Sequence, residues 1–167
     1  MARVNSDILI RSVLLETIFL SFMFLAADFG DVTLAANQIL LQFLYITSYA
    51  LDGFAFSAEA IVGQAVGARA VPTLRRAAIV ASLWGLGASV LLAAGFWLFG
   101  PQVIEVMAKN TDVQNAAFSS LPWLVLAPVI ALGSFMFDGI FVGAPRTADL
   151  RNMMIISALI YGAAAWM

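Results

Sequence analysis

Apolar runs alternate with short polar breaks along almost the whole chain, at about residues 8–29, 32–66, 77–99, 116–143 and 152–167. Runs of this length suit helices that cross a hydrocarbon layer of about 30 Å, and the second is long enough to tilt or to project beyond it. Asp28, Gly30 and Asp31 predict a tight turn after the first run, with both aspartates solvated. The stretch Arg69 to Arg76, which contains Pro72, reads as a short loop, and Ala144 to Arg151 as a second. Gly100-Pro101 is expected to end the third run, and Gln102 to Gln114 to form an amphipathic or irregular connector. Pro122 and Pro128 predict kinks in the fourth. Ala81, Gly85 and Ser89 recur every four residues, a stripe of small side chains suited to close helix packing. Gly63 and Gly67 share that spacing and are assigned to packing or to the turn.

Composition turns this pattern into a fold class. The chain has 167 residues, 63% hydrophobic and 11% charged, and its mean hydropathy is +0.98. A soluble domain is about half apolar and roughly a quarter charged. So much apolar surface must face lipid, and the expectation is an all-α polytopic membrane protein, a bundle of about five transmembrane helices. With 8 basic and 10 acidic residues the chain has no broad basic face for nucleic acid. It has no cysteine and no histidine, which removes disulfides, thiol or His-based catalysis and the usual zinc sites. No cleavable signal peptide is evident in the mixed stretch Met1 to Ser12. The last run stops while still apolar, as a fragment would, and Met1 is equally readable as a cut point.

The basic residues give an orientation. Arg3 and Arg11 precede the bulk of the first run, Arg69, Arg75 and Arg76 follow the second, and Arg146 and Arg151 follow the fourth. With alternating crossings these fall on one side and Lys109 on the other, so the positive-inside rule puts the N-terminus in the cytoplasm. The four tryptophans are expected as interface anchors or lipid-facing residues. A weak internal echo joins the two inward-running segments. Asp52-Gly53 precedes Val66-Gly67-Ala68-Arg69, and Asp138-Gly139 precedes Val142-Gly143-Ala144-Pro145-Arg146.

Chemistry enters with carboxylates inside the apolar runs. Glu16, Glu59 and Asp138 each lie roughly 8–12 Å from the arginine-rich end of their segment, and Asp52 about 20 Å in. Asp52 and Glu59 are two helical turns apart and share a face. Asn37, Gln38 and Gln42 add polar groups to the same segment. Charge at depth is costly in lipid and marks polar paths or cavities. No basic residue inside the crossings is expected to pair with these acids, so they could meet around one cavity. They would then bind a proton, bind a cation such as Na⁺, face a cationic substrate, or meet a partner outside the chain. Nearby hydroxyls (Thr17, Ser21, Ser57, Ser134) would suit a hard cation. For Glu59 the plainer alternative is a surface pair with Arg69.

The runs Asp52-Gly53-Phe54-Ala55, Glu59-Ala60 and Val62-Gly63-Gln64-Ala65-Val66-Gly67-Ala68-Arg69 carry a resemblance. Gly30-Asp31-Val32, Leu34-Ala35-Ala36-Asn37 and Phe137-Asp138-Gly139-Ile140-Phe141-Val142-Gly143-Ala144 extend it. With them the chain resembles the DinF-type branch of the multidrug and toxic compound extrusion (MATE) transporters, over almost its full length. The resemblance implies a twelve-helix fold of two six-helix lobes, with residues 1–167 forming helices seven to eleven of the C-terminal lobe. It implies cation-coupled antiport, driven by Na⁺ or H⁺, that exports hydrophobic or cationic xenobiotics across the inner cell membrane, with no other cofactor. Glu16 and Asp138 resemble the acids of the C-lobe cation site, the only metal being Na⁺. Asp52, Glu59, Asn37 and Gln42 are then candidates for the substrate cavity or a proton relay. The implied partners are the bilayer, a small-molecule substrate and the N-terminal lobe. A lipid-linked precursor flippase and a non-transporting scaffold are the alternatives, and an enzyme is not expected.

Overall fold

The structure is a computed structural model that describes residues 2–27 and 30–166. It holds five helices and no strand among the described residues: α1 Ala2–Ala27, α2 Asp31–Gly67, α3 Val71–Met107, α4 Thr111–Gly143 and α5 Thr147–Trp166. The first four are long and apolar enough to cross a membrane. Helix α5 does not meet that test within the described residues, its first two turns carrying Asp149, Arg151 and Asn152.

The helices exceed the apolar runs, and the reasons are local. Pro72 sits in the first turn of α3, where no backbone N–H is needed, so the expected loop at Arg69 to Arg76 shrinks to Ala68–Ala70. Helix α3 also continues through Gly100-Pro101 to Met107, because Ile104 beyond the proline is fully buried. Gly100 serves contact rather than termination: a Cβ there would lie 2.9 Å from Leu121 Cδ1. The expected connector is thus divided between two helices, with its break at Ala108–Asn110. There the Asn110 side chain caps α4 by accepting from the Asp112 N–H at 2.8 Å. Between α1 and α2, Gly30 has φ +96, the positive region that favours glycine. Asp28, the other expected turn residue, lies outside the described residues; Asp31 is exposed in the first turn of α2.

Three-residue turns make α2, α3 and α4 a packed up-down unit with two apolar cores. Near the α3–α4 turn, Ala36, Ile39, Phe43, Phe96, Ile104 and Leu124 pack together, with Phe43 edge-on to Phe96 at 5.1 Å. Near the other end, Leu51, Ala55, Ala58, Ala81, Leu132 and Met136 form the second core. The small stripe Ala81, Gly85 and Ser89 is buried as its spacing predicts, with Gly85 under Leu132, Met136 and Phe54. The parallel neighbours α2 and α4 approach backbone to backbone. A Cβ on Gly139 would overlap the Ala55 carbonyl, and one on Gly143 would lie 2.5 Å from the Glu59 carbonyl oxygen.

The internal echo becomes a shared exit. Helix α2 closes with Arg69 N–H on Val66 O and Ala70 N–H on Ala65 O, both 3.0 Å. Helix α4 repeats the longer of these bonds, Arg146 N–H on Phe141 O (2.8 Å), while Pro145 in the place of Arg69 has no N–H for the other. The α2 pair is the two-bond closure of a left-handed helix cap, with Arg69 at φ +52 in the left-handed position. Both turns leave arginines at one end of the bundle, while Lys109 lies in the α3–α4 turn at the other.

Helices α1 and α5 form a separate pair. Their sole buried residues among those described are Asp7 and Thr147, both polar.

Candidate functional site

The site grows from the early start of α1. Because this helix begins at Ala2, Asp7 and Arg11 are both helical, four residues apart on one face. Arg11 donates to Asp138 of α4, with Nη2 2.7 Å from Oδ2. This corrects the expectation that no basic residue inside the crossings pairs with the acids: Arg11 lies within the apolar span of α1 and does so. The spacing of Asp7 and Arg11 carries this signal in the sequence, beside the role of Arg11 as a marker of orientation.

A second bridge lies one turn away. Arg151 of α5 donates through Nη1 to Asp7 Oδ1 at 2.6 Å, and the Thr147 hydroxyl donates to Asp7 Oδ2 at 3.2 Å. Higher up the same pair, Ser21 meets Tyr161 at 3.2 Å between hydroxyl oxygens. Asp7 and Arg151 were not singled out as a pair by sequence, since 144 positions separate them.

Asp138 is only half satisfied. Its Oδ2 has Arg11, whereas its Oδ1 is buried with no hydrogen-bond partner. A buried acceptor left in that state costs about 1–3 kcal/mol. Asp52 of α2 is also close enough to act on Asp138 electrostatically. The local set of Asp7, Asp52 and Asp138 against Arg11 and Arg151 is one positive charge short. Such a set can take up a proton or a monovalent cation, or exchange its internal partners.

The other sequence candidates fall elsewhere. Glu16 is exposed on α1 and makes no ion pair among the described residues. It is five residues beyond Arg11, about 140° around the helix and about 7.5 Å along it. Arg11 therefore faces Asp138 here, and Glu16 does not. Glu59 is half-buried in an open groove of about 420 Å³ between α2 and α4, with Phe56, Gly63 and Val142. It does not pair with Arg69, which is exposed in the turn. Asn37 lines a groove of about 340 Å³ with Phe22, Ser120 and Trp123. Gln42 lines an apolar groove of about 300 Å³ between α2 and α3. Thr17 and Ser57 donate back to carbonyls of their own helices. Among the described residues no group of three or more acids is placed to hold a metal ion. The single cavity anticipated for these groups is not formed by this chain alone; of the candidates, Asp52 acts on Asp138 electrostatically.

Long apolar helices around charged side chains paired inside the span define an all-α, multi-pass membrane protein. The MatE family matches residues 8–167, and the chain belongs to that family. It is 36% identical to the DNA damage-inducible protein F of Escherichia coli over 92% of this chain and 34% of that protein, in line with the DinF-type branch. It is 30% identical to Protein DETOXIFICATION 42 of Arabidopsis thaliana, over 81% of this chain and 26% of the relative. With the probable multidrug resistance protein NorM of Pseudomonas aeruginosa the identity is 28%, over 79% and 28%. The chain thus spans about a quarter to a third of the length of these relatives. No solved structure matches it.

Proposed function

We propose that the chain is part of a secondary active transporter that exports hydrophobic or cationic compounds in exchange for Na⁺ or H⁺. In this reading it forms most of the C-terminal lobe of a twelve-helix protein of the inner cell membrane. Its arginine-rich end is cytoplasmic, and the substrate cavity is completed by the N-terminal lobe. The observation that carries the reading is the MatE match across residues 8–167; the name of NorM, a multidrug resistance protein, supports the substrate class. A cavity shared by two lobes also accounts for Glu59, Asn37 and Gln42 standing in open grooves of this chain.

Asp138 is the proposed coupling carboxylate, with Asp52 beside it and Glu16 contributing from the other side of α1. A cation drives alternating access only by binding one state better than the other. A carboxylate that exchanges a tethered arginine for a free cation offers that difference. The flippase alternative requires cationic groups available to diphosphate, and Arg11 and Arg151 are each committed to a carboxylate. The test is efflux of a cationic dye from proteoliposomes holding the complete transporter, under an imposed Na⁺ or H⁺ gradient. Efflux driven by either gradient supports the reading; efflux driven by neither overturns it.

A further inference from the structure

The two helix groups of this chain are held in different ways. Helices α2, α3 and α4 share two apolar cores and glycine-mediated backbone contact. Helices α1 and α5 bury only Asp7 and Thr147 among their described residues, and these hydrogen-bond to each other. Asp7–Arg151 and Ser21–Tyr161 tie α1 to α5 at two levels. Between the groups, the ion pair that the structure forms is Arg11–Asp138.

We propose that Arg11 is a positioning residue that latches the α1–α5 pair onto the α2–α3–α4 unit through Asp138, and that the pair moves as one body when this bond opens. Asp7 makes the release local. It lies one turn from Arg11 on the same face of α1, about 6 Å along the axis, so a freed guanidinium has a second carboxylate within reach. Asp7 is already bound by Arg151 and Thr147 of α5, so Arg11 turning to it tightens the α1–α5 pair as the latch to α4 opens. The apolar cores of the three-helix unit stay intact, since neither contains a residue of α1 or α5. The inference rests on the efflux reading only for what displaces Arg11, namely the coupling cation at Asp138.

The test is a set of distances in the complete transporter in lipid nanodiscs, by electron–electron double resonance between spin labels. Labels replace the exposed Leu20 on α1, Leu83 on α3 and Leu159 on α5. Arg11→Gln and Asp138→Asn are each expected to shift the Leu20–Leu83 distribution, changing the ratio of its populations by about tenfold. The Leu20–Leu159 distance stays fixed, and Arg11→Lys retains the wild-type distribution. The exchange Arg11→Asp with Asp138→Arg restores it, which a general loosening of the fold cannot do. An unchanged Leu20–Leu83 distribution in Arg11→Gln overturns the proposal, as does a Leu20–Leu159 distance that changes along with it. These readouts need no transport. A latch seen in a protein that no gradient drives sinks the efflux reading alone, and driven efflux with fixed distances sinks the latch alone.

Discussion

Gly139 and Gly143 stand where no side chain fits. At Gly139 the obstruction is the Ala55 backbone and at Gly143 that of Glu59, so neither can be relieved by a rotamer change. At Gly85 the nearest atom is the end of the Leu132 side chain, which can give way. Gly67 has open space. Gly139→Ala and Gly143→Ala should therefore destabilise by about 1–3 kcal/mol or more, and Gly85→Ala by less. Gly67→Ala should be neutral or gain up to about 1 kcal/mol from helix propensity. Thermal unfolding in detergent checks the order, and equal effects at Gly139 and Gly67 would contradict the backbone contact. The same scale explains Asp138: its interest lies less in being an acid in an apolar run than in having one oxygen paired and the other orphaned. A sequence shows the first property and cannot show the second.

Among the elements, the α2 exit carries the sharpest prediction. Arg69 occupies a left-handed cap position, so Arg69→Gly should be neutral or stabilising by up to about 1 kcal/mol. Arg69→Val should cost about 1 kcal/mol or more, since a β-branched side chain resists that conformation. The unfolding transition of the two variants decides it, and a stable Arg69→Val would contradict the cap. Element count and order were legible from the apolar runs, because crossing helices must be long and apolar. Their ends were not. Proline reads as a breaker, yet Pro72 is harmless in a first turn and Pro101 is overridden by the burial of Ile104 beyond it. The start of α1 carries the site: a helix from Ile8 would leave Asp7 outside and Arg11 at its edge, whereas α1 begins at Ala2 and holds both. The Asp7–Arg151 and Arg11–Asp138 pairs join residues more than a hundred positions apart, and no local pattern reports such a contact.

For the whole molecule, the arginines at one end and Lys109 at the other predict a sided protein. Residues 1–167 hold no cysteine, so Arg76→Cys and Lys109→Cys each add a single thiol here, read against the complete transporter without it. A membrane-impermeant maleimide should label Lys109→Cys on intact cells and Arg76→Cys only after permeabilisation. The reverse pattern would invert the proposed topology. The most direct test of the central claim is gradient-driven dye efflux by the complete transporter carrying Asp138→Asn or Glu16→Gln. Asp138→Asn is expected to lower driven efflux by about a hundredfold, the loss of about 3 kcal/mol of coupling. Glu16→Gln, which faces away from that carboxylate, should lower it by about tenfold or less. Wild-type efflux in Asp138→Asn would contradict the assignment of Asp138 as the coupling carboxylate.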